Sequence, residues 1–158
     1  IEAIARLPKE LNFHFYIVGD GPLKEVSEKT IQEYQLQHKT TFTGKLPYNL
    51  LKPVYEKSHL LLFPSLIDSC PMQVFESMAY SLPIVTLNHQ GMKDQVTDDL
   101  GIKIEVEERS DYPVLLAEGV LSLIKDNDVY RKRSFNAYQF GQEQLWSKRI
   151  KKFIEEIL

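Results

Sequence analysis

The sequence has almost no cysteine, no long apolar run and no excess of basic residues. Cys70 is the single cysteine among 158 residues, which excludes an internal disulfide framework and is typical of a reducing compartment. No apolar run approaches the ~20 residues that a membrane-spanning helix needs. The formal net charge of −3 provides no basic excess for binding a phosphate backbone. We therefore expect a cytoplasmic protein that does not bind nucleic acid.

The composition and the order of predicted elements indicate a single α/β domain. Hydrophobic residues make up 43% and charged residues 26% of the chain, which is ordinary for a globular protein. Short apolar segments alternate with helical patterns, and this alternation predicts a parallel sheet covered by helices on both faces. The predicted strands are Phe13–Val18, Thr40–Thr43, His59–Phe63, Ile84–Leu87 and Gly101–Val106.

Helical spacing of apolar residues predicts the intervening helices. The helix Leu23–Gln37 is expected to face inward through Leu23, Val26, Thr30, Ile31 and Tyr34. The helix Leu46–Lys57 is expected to face inward through Leu50, Leu51, Val54 and Tyr55. The predicted helices are Ile1–Leu7, Leu23–Gln37, Leu46–Lys57, a helix from Pro71 that Pro83 stops, Pro113–Lys125, Val129–Phe140 and Glu143 to the end of the chain.

The most informative stretch is Phe63 to Leu87, a predicted strand–loop–helix–strand unit. Pro71 is expected in the first helical turn, where its fixed φ and missing N–H are tolerated. A helix that starts at the carboxyl end of a parallel strand presents unpaired N–H groups and a partial positive charge. This junction is therefore a predicted site for phosphate or another anion.

Two carboxylates flank this junction, and both have a structural and a functional interpretation. Asp68 can be a loop or capping acid, and Glu76 can be a solvated helix residue. Ionised carboxylates only accept hydrogen bonds, so they suit hydroxyl groups better than phosphate. A phosphate site beside groups that bind hydroxyls points to a nucleotide-sugar.

Seven residues separate Asp68 from Glu76 in this segment. The pattern resembles the donor-binding signature of GT-B glycosyltransferases, in particular the retaining family 4, also called glycosyl transferases group 1. The family usually has Glu at the position of Asp68, and Gly-Phe-Gly or Gly-Phe-Pro in place of Ser69-Cys70-Pro71. The matching residues are Pro64-Ser65, Asp68, Glu76-Ser77-Met78-Ala79 and Leu82-Pro83-Ile84-Val85.

The resemblance implies a role for each candidate site residue. Asp68, as the candidate catalytic residue, would hold hydroxyls of the transferred sugar near the anomeric carbon, and Glu76 would accept hydrogen bonds from the ribose. Backbone N–H groups beside Pro71 would neutralise the diphosphate, and Gly44, Lys45 and Leu46 would meet the nucleobase. The remaining donor-site residues that the resemblance implies are Gly19, Gly21, Ser69, Cys70, Met72, Gln73 and Gly91, with His89 as a residue to test.

Simpler interpretations remain open for the loops after the other strands. The Gly19-Asp20-Gly21-Pro22 turn can be an ordinary strand–helix junction, and Gly44 can close an ordinary β–α loop. The four histidines show no metal-ligand spacing, so no metal or other cofactor is expected, and the nucleotide-sugar is a substrate.

The resemblance covers only the C-terminal, Rossmann-like half of a GT-B enzyme. It implies that an N-terminal acceptor domain, a first strand and a basic pair that grips the diphosphate precede Ile1. The full-length protein is then expected to transfer a hexose with retention to a glycan or lipid-linked acceptor in bacterial polysaccharide biosynthesis, and the isolated chain to be inactive. Peripheral association with the inner face of a membrane is compatible with this function, and a non-catalytic nucleotide-binding Rossmann-like module is the alternative function.

Overall fold

A computed structural model describes residues 1–108 and 110–157. Helices and strands alternate along this part of the chain, and a 3-10 turn at Gln37–Lys39 precedes the second strand. The strands are β1 Phe15–Val18, β2 Thr40–Gly44, β3 Leu61–Phe63, β4 Ile84–Asn88 and β5 Gly101–Glu105. The helices are α1 Glu2–Ala5, α2 Lys24–Glu33, α3 Tyr48–Lys57, α4 Met72–Ala79, α5 Gly91–Gln95, α6 Tyr112–Lys125, α7 Asn127–Glu143 and α8 Trp146–Ile157.

All strand pairs in the described residues are parallel. β1 pairs with β2, whereas β3, β4 and β5 form a separate three-stranded sheet with β4 in the middle. The α/β class with a Rossmann-like parallel arrangement flanked by helices is thus confirmed. The expected continuous sheet is not observed, because β1 and β3 are not hydrogen-bonded to each other.

Strand β4 is buried on both faces and carries the two apolar cores. Val85 and Leu87 pack into a core shared with α1 and α6, whereas Ile84 packs against α4, α5 and α7. This alternation follows from the two-residue period of a strand, since successive side chains point to opposite faces. The predicted covering of the sheet by helices on both faces is therefore observed around β4.

A large cavity separates β1 from β3. Its volume is about 1210 Å³, and its walls include residues 15–18 of β1 and residues 61–63 of β3. Neither of these strands has a second hydrogen-bonded neighbour among the described residues. The facing edges of the two sheets thus border an open space that is lined largely by apolar side chains.

Several expected boundaries differ from the observed ones. The helix after the Asp68 loop begins at Met72, and Pro71 is its N-cap in an extended conformation with φ −72° and ψ 118°. The break expected at Asp126-Asn127-Asp128 is reduced to Asp126, whose side chain accepts hydrogen bonds from the N–H groups of Asp128 and Val129 and so starts α7.

The expected inward faces of α2 and α3 are only partly correct. Ile31 is buried, but Leu23 and Val26 are 68% and 57% exposed, so the apolar face of α2 is largely open. On α3, Leu50 is exposed, whereas Leu51, Val54 and Tyr55 are half-buried. Helical spacing identified the apolar face of each helix but not whether another element covers it.

Candidate functional site

The loop that carries Asp68 is fixed by its own side chain. Asp68 Oδ1 accepts a hydrogen bond of 3.2 Å from the Cys70 N–H, which closes a short turn. Asp68 is half-buried, whereas Ser69 and Cys70 are exposed. Oδ1 is occupied by this hydrogen bond, and no group in the described residues donates a hydrogen bond to Oδ2. The second oxygen is therefore available to a ligand.

Gly91 supports this loop from the neighbouring element. A Cβ atom at Gly91 would overlap the backbone carbonyl of Ser69, so only glycine allows the loop to lie where it does. The side-chain amide of Gln95 also donates a 3.0 Å hydrogen bond to the Ser69 carbonyl oxygen. The residue before Gly91, Gln90, has a φ of 45°. The structure thus gives Gly91 a packing contact with the loop that carries Asp68.

Helix α4 begins directly after this loop and is closely packed against its neighbours. Val74 and Met78 are fully buried, and Gly141 of α7 lies so close to the α4 backbone at Ala79 that a side chain there would clash. The N–H groups of Met72 and Gln73 lie in the first turn, ahead of the helix's own ladder of hydrogen bonds. They are therefore free to meet an anion at an end of the helix that carries partial positive charge.

The glycines after β1 and β2 are joined by a hydrogen bond. The Gly19 N–H donates to the Gly44 carbonyl oxygen at 2.9 Å, and the two residues have φ angles of 128° and 65°. A Cβ atom at either position would contact nothing within 4 Å. Glycine is needed here for the backbone conformation. The open space beside both residues leaves room for a ligand.

Glu76 projects from α4 towards α3. Its Oε2 accepts a 3.0 Å hydrogen bond from the Tyr55 hydroxyl, and both side chains are half-buried. Burial is the main cause that raises the pKa of Tyr55 above its ordinary value, and the adjacent Glu76 charge and hydrogen bond raise it further. The phenol consequently stays protonated and acts as the donor to Glu76.

The cavity between β1 and β3 reaches some of the candidate residues but not others. Gly19, Lys45, Leu46, Tyr55 and Gln73 line it. The edges of β1 and β3 form part of its walls, together with surrounding loop and helix residues, so the cavity is a gap between the two sheets whose rim meets the candidate site. The candidate residues outside its lining are Gly21, Gly44, Asp68, Ser69, Cys70, Pro71, Met72, Glu76 and Gly91.

Metal-ligating residues do not cluster in the described part of the chain. No group of three or more His, Cys, Asp or Glu side chains lies close enough to hold an ion there. His89 is half-buried in the loop after β4, and its N–H donates to the Leu87 carbonyl oxygen.

The arrangement of strand, loop and helix agrees with a known family. The family model described as glycosyl transferases group 1 matches residues 1–140. The chain belongs to this family. The resemblance inferred from the Asp68–Glu76 segment is confirmed, and the chain has the fold of a GT-B glycosyltransferase C-terminal domain.

Individual glycosyltransferases align with almost the whole chain. An uncharacterized glycosyltransferase of Methanocaldococcus jannaschii is 26% identical over 153 residues, which cover 94% of this chain and 42% of the relative. A PP-undecaprenol α-1,4-N-acetyl-D-galactosaminyltransferase of Campylobacter jejuni is 27% identical over 140 residues, covering 86% and 36%, respectively. The chain thus spans less than half the length of these relatives.

A solved glycosyltransferase structure has the same fold. The pneumococcal O-GlcNAc transferase GtfA, determined in complex with UDP and GlcNAc, superposes with a TM-score of 0.83 at 20% identity. The superposition covers 98% of this chain and 32% of that protein. At this level of identity the likeness extends to the fold.

Three residues near the site were not identified from the sequence. Gln95 donates a hydrogen bond to the Ser69 carbonyl oxygen, and Tyr55 donates one to Glu76. Gln90 has a positive φ of 45°. Tyr55 and Glu76 are 21 residues apart and lie on different helices, so no local pattern connects them. Of the residues around them, Gly91 was expected as a donor-site residue, through the family resemblance alone.

In the described ranges, no helix has the length and apolar character needed to cross a membrane.

Proposed function

We propose that this chain is the donor-binding half of a retaining glycosyltransferase that uses a nucleoside-diphosphate sugar. The observation that carries the proposal is the placement of two carboxylates on either side of the first turn of α4. Asp68 lies in the loop before the helix, and Glu76 lies inside the helix beyond the free N–H groups of Met72 and Gln73. A diphosphate at the helix start would place a sugar towards Asp68 and a ribose towards Glu76.

Each part of the donor then meets a group of suitable chemistry. The N–H groups of Met72 and Gln73 would stabilise charge on the departing diphosphate, as preorganised donors do in other active sites. The free oxygen of Asp68 would accept hydrogen bonds from sugar hydroxyls and orient the anomeric carbon. Lys45 and Leu46, after Gly44, would contact the base, while Gly19 and Gly21 leave space for the donor.

Retention of configuration is part of this proposal. The leaving diphosphate would assist acceptor attack on the face of the sugar from which it departs. Asp68 would orient the sugar and stabilise developing positive charge, without forming a covalent bond to it. The reaction would need no metal, because the helix terminus and the basic residues of the complete protein would neutralise the diphosphate.

Titration of the ¹⁵N-labelled protein with UDP, GDP and ADP tests the donor site directly. The proposal predicts that the amide signals of Met72, Gln73 and Lys45 shift on binding of one of these nucleotides. It also predicts that Glu76→Ala weakens this binding and that Glu118→Ala, which changes an exposed residue on α6, does not. Shifts confined to other surfaces would contradict the proposed site.

We also propose that a further parallel strand fills the gap between β1 and β3 in the full-length protein. The unpaired edges of both strands border the cavity of about 1210 Å³. A parallel strand placed there would satisfy both edges and join the two sheets. Hydrogen exchange of the β1 and β3 amides should then be slower in the full-length protein than in the 158-residue chain. Equal exchange rates would contradict the added strand.

We propose that the apolar face of helix α8 packs against the acceptor domain in the full-length protein. Its apolar side chains share one face and are exposed, whereas its charged residues lie opposite, as expected from helical spacing. The apolar residues are Trp146, Ile150, Phe153, Ile154 and Ile157. Ile150→Glu should destabilise the full-length protein if the domain covers this face. Binding of the full-length protein to anionic vesicles through α8 would instead favour a membrane surface.

A further inference from the structure

The hydrogen bond between Tyr55 and Glu76 joins two helices that follow different strands. The Tyr55 hydroxyl on α3 donates to Glu76 Oε2 on α4 at 3.0 Å. An ionised carboxylate has two oxygens that accept hydrogen bonds. The Tyr55 hydroxyl donates to Oε2, and no other group in the described residues donates a hydrogen bond to Oε1. The contact therefore fixes the carboxylate while leaving an acceptor for another group.

The Tyr55 ring is itself held against α4. It stacks on the Tyr80 ring with a centroid separation of 5.2 Å and an interplanar angle of 15°. Tyr80 directly follows the last residue of α4 and comes four residues after Glu76, so the two side chains are on the same side of this helix. Tyr55 thus contacts one face of α4 through both its hydroxyl and its ring, which restricts the positions that the hydroxyl can take.

This geometry removes rotational freedom from Glu76 before any ligand arrives. A free glutamate side chain has several rotatable bonds and loses that freedom on binding. A carboxylate that is already held by a neutral donor avoids most of this loss, which is the general advantage of preorganisation. The phenol is a suitable holder because it remains protonated beside the negative charge.

We propose that Tyr55 is a positioning residue, which orients Glu76 so that its free carboxylate oxygen accepts a hydrogen bond from the ribose 2′-hydroxyl of the donor. The inference rests on the proposed function, because it assigns a ribose to Glu76. It extends that function by naming the residue that makes the ribose contact effective and by predicting selectivity for ribonucleotides over deoxyribonucleotides.

The test compares each ribonucleotide with its 2′-deoxy counterpart in the full-length protein. UDP, GDP and ADP and the corresponding deoxynucleotides are titrated calorimetrically into the wild type, Tyr55→Phe and Tyr130→Phe. Phenylalanine keeps the ring that stacks on Tyr80 and removes only the hydroxyl. Tyr130→Phe is a matched control, because its hydroxyl donates a 2.9 Å hydrogen bond to the backbone oxygen of His59 and not to Glu76.

The expected result is a selective loss of ribose recognition. Tyr55→Phe should weaken binding of the preferred ribonucleotide about three- to tenfold, the range expected for one side chain that must be ordered on binding. Binding of the deoxynucleotide should stay within about twofold, so the preference for ribose falls. Tyr130→Phe should leave both affinities unchanged. A purely structural role for Tyr55 would weaken both nucleotides equally.

A second pair of variants separates this inference from the proposed function. In a Glu76→Gln background, adding Tyr55→Phe should cause little further loss, because both changes act through the same carboxylate. If Glu76→Ala removes the ribose preference but Tyr55→Phe retains it, the positioning role is wrong and the proposed function stands. If Glu76→Ala itself retains the preference, or no nucleotide binds, the proposed function fails and this inference fails with it.

Discussion

Gly91 lies directly against the backbone carbonyl of Ser69, so the start of α5 fixes the loop that carries Asp68. Any side chain at position 91 would overlap that carbonyl. Gln95, one turn further along, donates its amide hydrogen to the same oxygen. The element that follows β4 therefore determines where the carboxylate after β3 is placed.

Substitution of Gly91 should displace the Asp68 loop. We expect Gly91→Ala to lower the free energy of unfolding by about 1–3 kcal/mol, as overpacking does elsewhere, and to weaken nucleotide binding as well. Gln95→Ala removes the supporting hydrogen bond without overlap, so it should cost about 0.5–1.5 kcal/mol. Denaturant unfolding and nucleotide titration of both variants measure these effects. A Gly91→Ala protein as stable as the wild type would show that the loop is not held here.

Substitution of Asp68 separates loop structure from chemistry. In Asp68→Asn the amide oxygen can still accept the hydrogen bond from the Cys70 N–H, so stability should change little. If Asp68 stabilises developing charge, the transfer rate of the full-length enzyme should fall about 10²- to 10³-fold. Steady-state rates and thermal unfolding of the same preparations test this expectation. An unchanged rate would remove Asp68 from the reaction.

Lengthening the acidic side chain at position 68 distinguishes an enzyme from a non-catalytic module. Asp68→Glu restores the residue that the family usually carries at this position. An enzyme adapted to Asp68 should lose activity on this change, because the longer side chain moves its carboxylate relative to the sugar. A gain of transfer in Asp68→Glu would instead favour a nucleotide-binding module that has lost its reaction.

The left-handed conformation of Gly44 predicts a stability effect without any clash. Gly44 has a φ of 65°, and a Cβ atom there would meet nothing within 4 Å. Gly44→Ala should therefore cost about 1–2 kcal/mol, and Gly44→Asn should cost less, because asparagine tolerates this conformation. Thermal unfolding should show a decrease of about 2–8 °C for the alanine variant. A larger loss in the asparagine variant would point to steric crowding instead.

The raised pKa of Tyr55 makes stability depend on pH in the alkaline range. Burial, followed by the Glu76 charge, raises this pKa from its ordinary value near 10 in the folded state. The unfolded chain then loses the phenolic proton first, so the stabilising contribution is complete below about pH 10 and declines as pH rises further. Tyr55→Phe should show a shallower decline between pH 9 and 11 than the wild type. If the unfolding free energies of Tyr55→Phe and the wild type depended on pH in the same way, the raised pKa of Tyr55 would not be the cause of the decline.

Features that depend on local chemistry could be predicted from the sequence. The start of α6 is one example, because Asp111 stands two residues before Pro113 and its side chain accepts a hydrogen bond from the Val114 N–H at 3.3 Å. The strand–loop–helix unit around Asp68 was also expected, because Pro64 ends the apolar run before the loop and Pro83 limits the helix after it. In these places the residues that determine the backbone conformation lie within a few positions of one another in the sequence.

Features that depend on distant partners could not be predicted. The apolar residues Leu23 and Val26 indicated a covered face on α2, yet both are exposed, since periodicity does not reveal whether another element packs there. The gap between β1 and β3 depends on which strands become neighbours. The Tyr55–Glu76 contact likewise requires side chains of α3 and α4 to meet, and neither sequence segment contains that information.

Calorimetric titration of UDP, GDP and ADP into the full-length protein tests the central claim most directly. The account predicts selective binding of one nucleotide, a loss of at least tenfold in Glu76→Ala, and no loss in Glu118→Ala. Equal affinity of Glu76→Ala and wild type for the selected nucleotide, or the absence of binding by the full-length protein, would contradict a donor site at the start of α4.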